Sequence, residues 1–333
     1  ICCKLQAISN PSPIFILGCH KSGTSLMRSL LDGHPDLKVI PFESHVMAFM
    51  GKQVLYDYRK QEAMPQADFK ANLLQLLRQY ASSKDRTADA MLSDDMDVIS
   101  AQQFIASANQ PTDVKEAFQL IVDCLPHVFP QGGFTQEPSR LVEKSVEHHG
   151  FIDELHRAFP DAQFIHLIRN PYANVVGLRK FKAKIQGYPL FHRVMSSIQS
   201  SMDVAMDQGI SKNKNHHVIR HEDLVQRPEQ TMQALAKAVN LSWDECLLSP
   251  SVMAEPWSGN SSHGQTKGID ASKVDAWQTQ IHAFESWQVN RKLNQQRKAF
   301  NYPRFQLRGF ALSKVQGEPW SRFVYNRLRS LIG

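Results

Sequence analysis

Residues 14–31 read IFILGCHKSGTSLMRSLL, and the order of residue types in that stretch decides the architecture. IFIL has the makeup of a short buried strand. It gives way to a loop between Gly18 and Gly23, then to the hydroxyls of Thr24 and Ser25, then to an apolar-periodic helix through Leu26, Met27, Leu30 and Leu31. Backbone N–H groups around such a loop, with the positive end of a helix dipole behind them, form a cradle for an anion. The lysine is misplaced for a nucleoside triphosphatase. There the loop reads G-x-x-x-x-G-K-[ST], with lysine directly after the second glycine to reach the β and γ phosphates. Here Thr24 holds that place and Lys21 lies two residues before Gly23. The loop is expected to hold a phosphate-like group, though not as a Walker A loop does. A plain strand-to-helix turn capped by Thr24 is the competing reading.

Working outward, LKVIPF (37–42) reads as a second short strand, which Pro41 confines to an edge or ends, with Glu43 directly after it. Residues 44–138 place Phe69, Leu73, Leu76 and Leu77, then Val114, Phe118, Ile121 and Leu125, at helical spacings and read as an inserted helical cap. Leu141 and Val142 lead into Glu143 and Lys144, and an amphipathic helix over 151–159 stops at Pro160. FIHLI (164–168) is a buried-strand pattern with Arg169 at its carboxyl end. Pro171 opens a helix through Phe181, HVIR (217–220) is a further strand, and 224–240 a further helix. Strands alternating with helices predict an α/β fold: P-loop-like, three layers α/β/α around a central parallel sheet, one domain over 1–333 with the cap inserted. Open parallel sheets bind ligands beyond the carboxyl ends of their strands. Gly18, Glu43, Lys144 and Arg169 are therefore expected to meet in one crevice.

The 333 residues are 42% hydrophobic, enough for a substantial core. The sequence has no apolar run of membrane-spanning length and no secretory apolar segment at its start. A cytoplasmic location is therefore expected, with the Golgi lumen as the alternative if an N-terminal anchor has been removed ahead of Ile1. Five cysteines (Cys2, Cys3, Cys19, Cys124, Cys246), with no C-x-x-C pair, point to a reducing compartment rather than zinc. The basic C-terminal segment, 286–333, holds ten bases and one acid, Glu318, in a chain of net charge +6. Such a segment suits anionic ligands, a membrane surface or nucleic acid, or is a solvated basic face.

With these segments assembled, the chain resembles the PAPS-dependent sulfotransferases, whose donor is 3′-phosphoadenosine 5′-phosphosulfate (PAPS). GCHKSGTSLMRSLLDGHPDL (18–37) is similar to that family's 5′-phosphosulfate loop, in the style of the tyrosylprotein sulfotransferases and their bacterial relatives. EKSVEHHGFIDELHRAFPDAQFIHLIRNPYANVV (143–176) resembles the second block, which ends in the strand and helix holding the donor's 3′-phosphate. VIRHEDLVQRPEQTMQALAKAVNL (218–241) resembles the third block, and WSGNSSHGQTKGI (257–269) the late glycine-containing loop.

Carried over, the resemblance implies that His20, Lys21, Ser22, Gly23, Thr24 and Ser25 surround the 5′-phosphosulfate. It implies that Arg169 binds the 3′-phosphate and that Lys267 with Gly268 closes over it. Gly177 stands where the family commonly has a serine for the same phosphate, leaving its backbone N–H, Arg179, Lys180 or Lys182 to serve. His221 replaces a tyrosine before the Glu-Asp pair of the third block. Sulfuryl transfer builds negative charge on the leaving phosphate and takes a proton from the acceptor, so it needs cations and a base. The resemblance assigns Lys21 and Lys144 as the cations and Glu43 as the base. PAPS would be released as PAP, with no metal required. The acceptor would carry a hydroxyl, on a protein tyrosine, a carbohydrate or a small molecule. Nucleic acid is not an expected partner, and a homodimer is an open option.

Alternatives stay open at this point. Glu43 could instead be a helix N-terminal acid, and His20, His45, His148 and His149 compete for the base role. The adjacent His148 and His149 read as loop or surface histidines rather than metal ligands. The five tryptophans, Trp243, Trp257, Trp277, Trp287 and Trp320, read as core. Asn260-Ser261-Ser262 is formally a glycosylation sequon but falls in the donor-covering loop. A P-loop kinase or nucleotide hydrolase, and a non-catalytic anion- or polysaccharide-binding protein on the same fold, are the other functional classes.

Overall fold

A computed structural model describes residues 12–52, 68–82, 96–131, 140–185, 189–207, 213–257, 259, 268–305, 307, 314–315 and 317–332. Five strands, β1 (Ile14–Gly18), β2 (Leu37–Val39), β3 (Arg140–Lys144), β4 (Gln163–Ile168) and β5 (His216–Arg220), form a parallel sheet in the order β2-β3-β1-β4-β5. β1 is central and buried along its whole length, with Ile14 opposite both Val142 and Gln163 and Gly18 opposite Leu167. Strands covered on both faces have no solvent side, which is why β1 and β4 read as continuous apolar runs rather than alternating ones.

After β1 the chain enters α1 (Thr24–Leu31), whose Leu26, Met27, Leu30 and Leu31 are all buried, and then runs to β2 at the sheet edge. Between β2 and β3 lie α2 (Val46–Phe49), α3 (Phe69–Ser82), α4 (Val98–Ser107) and α5 (Val114–Val128). Asp97 and Asp113 cap the last two, accepting from the N–H groups of Ser100 and Glu116. β3 fills the slot between β2 and β1. The chain then crosses through a 3-10 turn (Val146–Gly150) and α6 (Ile152–Ala158) to β4, on the other side of β1. The direction of winding reverses at β1, so its carboxyl end is the topological switch point of the sheet. Phe15 of β1 fixes the layer on one face, its ring packing on Phe118 of α5 at 5.4 Å, Phe159 at 5.5 Å and Phe164 at 5.7 Å.

The other face is covered by α7 (Pro171–Ile185) and α8 (Phe191–Met206), which share a second core with Trp277 and Phe284. The helix expected over 224–240 is two helices, α9 (His221–Gln226) and α10 (Pro228–Ala238). Pro228 explains the break, since its ring clashes with a helical conformation at Arg227, which sits at φ −138° and ψ 58°. A small hairpin of β6 (Ser251–Val252) and β7 (Glu255–Pro256) follows, then α11 (Ala283–Lys292), α12 (Asn294–Ala299) and α13 (Trp320–Ile332). Trp257 and Trp277 are core as expected; Trp243 and Trp320 are at the surface. No helix of the described residues is long and apolar enough to cross a membrane.

Gly18 has φ +142°, and a Cβ there would lie 2.4 Å from the carbonyl oxygen of Leu167. Gly18→Ala therefore combines a disfavoured backbone with a backbone clash and should lower stability by about 2 kcal/mol or more. Urea unfolding of the two proteins checks this, and equal midpoints would contradict it.

Candidate active site

The loop after β1 is closed by a turn in which the Ser22 N–H donates to the Cys19 carbonyl at 3.1 Å. Lys21, at φ +64°, and Gly23, at φ +105°, bend the chain back so that Gly23 is the N-cap of α1. No side chain caps that helix, so its first N–H groups face the loop. Three elements brace the loop from outside. Asn174 of α7 donates to the His20 carbonyl at 2.8 Å, Arg169 Nη1 donates to the Lys21 carbonyl at 2.9 Å, and Ser201 Oγ of α8 accepts from the Cys19 N–H at 3.0 Å. The Lys21 ammonium lies 4.4 Å from the Phe181 ring centroid, and a Cβ at Gly177 would touch Lys21 Cβ at 3.4 Å. Gly177 is thus the wall against which the Lys21 stem rests.

Buried polar atoms around this loop lack partners. Ser22 Oγ, Arg169 Nε and His221 Nδ1 are all buried without a hydrogen-bond partner among the described residues. A Cβ at Gly23 would sit 2.5 Å from His221 Nδ1, so the bare glycine keeps that space open. Next to Arg169, Glu222 accepts from the Asn170 N–H at 2.9 Å and from the Tyr302 hydroxyl at 2.8 Å. Burial draws the Arg169 guanidinium down from its usual range while Glu222 opposes that. Burial, then the nearby Arg169 charge, hold His221 neutral, well below its ordinary value. Orphaned donors around a helix N-terminus suit an anion with several oxygens. The residues present therefore fit a phosphate-bearing donor.

Across the crevice, at the carboxyl ends of β2 and β3, Glu43 forms a hydrogen-bonded ion pair with Lys144, whose side chain is 1% exposed. Glu143 positions this pair. One of its oxygens accepts from Ser44 N–H at 3.2 Å, Ser44 Oγ at 2.6 Å and Ser145 Oγ at 2.7 Å, and the other lies 3.0 Å from His148 Nδ1. His45 Nε2 is 3.6 Å from Glu43, while its Nδ1 is 2.7 Å from Glu147. Burial pushes the Glu43 carboxyl up, but Lys144, His45 and His20 outweigh it and hold it well below the usual carboxylate range. Burial and His45 compete in the same way at Glu147, which settles at about 2. Glu43, His45 and Glu147 have ligand atoms within 4.8 Å of one another, a spacing a metal ion could use. Lys144 already sits on Glu43, so a cation there would displace or repel it.

The structure thus brings His20, Lys21, Ser22, Gly23, Thr24, Ser25, Arg169, Gly177 and His221 around one loop, with Glu43 and Lys144 at the neighbouring strand ends. His20 links the two groups, since its charge acts on Glu43. Gly268 has φ +71°, whereas Lys267 and Asn260 to Ser262 lie outside the described residues. Arg179 is not turned toward the loop's anion side; it donates to the Gln280 carbonyl at 2.7 Å and pairs with buried Glu285 at 2.7 Å. His148 and His149, expected in a loop or at the surface, are buried in the 3-10 turn beside β1, at 0% and 3% exposure. The Glu143 clamp and the Glu147–His45 pair carry no local sequence signal, since their partners Ser44 and His45 lie about a hundred residues away.

A sequence model described as the sulfotransferase family matches residues 13–245. The chain belongs to that family. Protein-tyrosine sulfotransferase 2 of Gallus gallus is 24% identical over 271 residues, covering 80% of this chain and 59% of the relative. The omega-hydroxy-beta-dihydromenaquinone-9 sulfotransferase Stf3 of Mycobacterium bovis is 25% identical over 267 residues, covering 72% and 66%. The chain therefore spans about three fifths to two thirds of the length of these relatives. Among solved structures, the sulfotransferase domain of the Synechococcus PCC 7002 olefin synthase has a similar fold, with a TM-score of 0.56 at 21% identity over 88% of this chain and 96% of that one.

Several histidines are buried neutral in the folded protein. Burial depresses His149 and His216 to about 4 and holds His166 and His221 well below their ordinary value. Between pH 6.5 and 4.5 the unfolded chain protonates these groups and the folded chain does not, so stability falls as pH drops. His148, raised by Glu143, contributes stability nearly complete below pH 6.5, the depressed carboxylates lose theirs only below about pH 4.5, and Glu285, pushed up to about 7 by burial, opposes the trend as one group against four. Stability should be about 3 kcal/mol or more lower at pH 4.5 than at pH 6.5. Denaturant titrations at the two pH values measure it; a flat or rising profile would refute the neutral assignment.

Proposed function

We propose that this chain transfers the sulfuryl group of PAPS to an acceptor hydroxyl and releases PAP. The observation that carries the reading is Arg169. Its Nη1 fastens the anion loop through the Lys21 carbonyl while its Nε stays buried and unpartnered at the mouth of the same loop. A family member with a buried guanidinium left over at the switch point has the donor set for a nucleotide bearing phosphate groups at two places. In this reading the loop N–H groups, Ser22, Thr24 and Ser25 hold the 5′-phosphosulfate, and Arg169, with Lys267 and Gly268, holds the 3′-phosphate.

The acceptor oxygen attacks sulfur, the sulfur–oxygen bond to the 5′-phosphate breaks, and the hydroxyl proton passes to Glu43. Lys21 neutralises the charge growing on the leaving phosphate. Lys144 serves twice. In the free protein it satisfies Glu43 and suppresses its basicity; turned toward the transferring oxygens, it releases the carboxylate. The negative charge of the bound donor moves Glu43 in the same direction, upward toward a useful base. His45, oriented by Glu147, stands beside the carboxylate and favours its ionised, proton-accepting form. Gly177 leaves Arg169 as the main anchor of the 3′-phosphate from the second block. The helices between β2 and β3 stand beside Glu43 and shape the acceptor side, for a tyrosine of a protein, a carbohydrate or a small molecule.

Lys21→Ala and Glu43→Ala should each lower kcat by more than about a hundredfold. Arg169→Ala should act mainly on the donor, raising the KM for PAPS by about tenfold or more. Radiolabelled PAPS turnover against a panel of phenols, sugars and lipid alcohols reads all three. Near-normal kcat in either of the first two variants, or an unchanged KM in the third, would reject the corresponding role.

A further inference from the structure

The last helix packs with its polar face inward. α13 turns Asn326, Arg327 and Ser330 toward the protein, and all three are buried. Arg327 donates to both oxygens of buried Glu318, at 3.2 and 3.1 Å, and its guanidinium lies 3.6 Å from the Phe284 ring centroid. Asn326 donates to Glu318 at 3.1 Å and accepts from the Phe191 N–H at 3.0 Å. These bonds fasten the helix through polar side chains. Trp320, Val324 and Leu328, one turn apart, form an outward stripe with Tyr325 beside them, at 67%, 49%, 56% and 43% exposure. Six large apolar side chains are exposed among the described residues, and four of them are on this one helix. A surface helix normally faces the other way, and a clustered apolar patch marks a contact surface.

The rim of the stripe is cationic. Arg322 and Arg329 flank it on the helix, and the Lys314 ammonium lies 4.8 Å from the Trp320 ring centroid. Arg291 reaches the C-terminal end of the helix, donating to the Ser330 carbonyl at 2.7 Å. His192, whose ring is 5.8 Å from Tyr325, is depressed by burial and then by Arg193, Arg329 and Lys292, which places those charges together. Glu318, the one carboxylate in 286–333, is 1% exposed and neutralised by Arg327. The same face of a second copy would set cations against cations. An anionic bilayer satisfies both features, since its acyl boundary takes the apolar stripe and its headgroups take the arginines and lysines.

We propose that α13 is a docking surface for an anionic phospholipid membrane, lying in the plane of the interface with Trp320, Val324 and Leu328 inserted and the basic rim on the headgroups. The proposal does not depend on the sulfuryl-transfer reading. Sedimentation of the full chain with vesicles of phosphatidylcholine, alone or mixed with phosphatidylglycerol, tests it. Binding is expected to be at least about tenfold stronger to the anionic vesicles and to weaken with salt. The surface variant Trp320→Ser/Val324→Ser/Leu328→Ser should lose that binding, and Lys314→Glu/Arg329→Glu should lose the preference for anionic lipid, both with an unchanged circular dichroism spectrum. No vesicle binding by the unaltered chain, equal binding to neutral and anionic vesicles, or full binding by either variant would overturn the proposal. So would a dimer, seen by light scattering, that the triple variant dissociates, which would assign the stripe to a second copy.

Discussion

Between the end of β1 and the Leu167 carbonyl there is no room for a methyl group, and much of the site follows from that approach. Because Gly18 has no side chain, β1 stays paired with β4 to its last residue and the loop after β1 turns directly over the neighbouring strand end. Arg169, the first residue past β4, therefore emerges beneath Lys21 and fastens to its carbonyl. The reversal of winding at β1 leaves the opposite flank open for β3, which delivers Lys144. Anion loop, guanidinium and ammonium are brought to one crevice by backbone geometry before any side chain chooses a partner.

The charges in that crevice are arranged in opposition. A buried lysine requires a counter-charge, and Glu43 supplies it. Glu143 supplies the same for His148 and pins Ser44, so the chain leaving β2 cannot drift from the end of β3. In the proposed reaction this opposition gives the pair its logic: an anion entering the loop would compete for the ammonium and so free the carboxylate to act as a base. The neutral imidazoles beneath, His166 stacked on His216 at 5.3 Å and bonded to Ser201, spare the region further positive charge.

Much of this was legible in the sequence because it was carried by local chemistry. The strand, loop and helix of 14–31, the continuous apolar run of β4 and the proline opening α7 each encode their element within a few residues. The convergence of Gly18, Glu43, Lys144 and Arg169 followed from one rule about parallel sheets. Pairings across long sequence separation did not show. Nothing near Glu143 announces Ser44, ninety-nine residues away, and nothing near Arg179 announces Glu285. His148 and His149 look solvated in a row of polar residues, yet a 3-10 turn folds them against β1. Trp320 looks like core until Asn326 and Arg327 are seen to take the inward face of its helix.

In the proposed function the loop and Arg169 together form a site for an adenine nucleotide with phosphates at both ends of its ribose. Calorimetric titration of the purified chain with PAP, alongside ADP and ATP with and without magnesium, tests it most directly. PAP is expected to bind without added metal and much more tightly than ADP. Magnesium-dependent ATP binding with no preference for PAP would contradict it and return the chain to the kinase or hydrolase class.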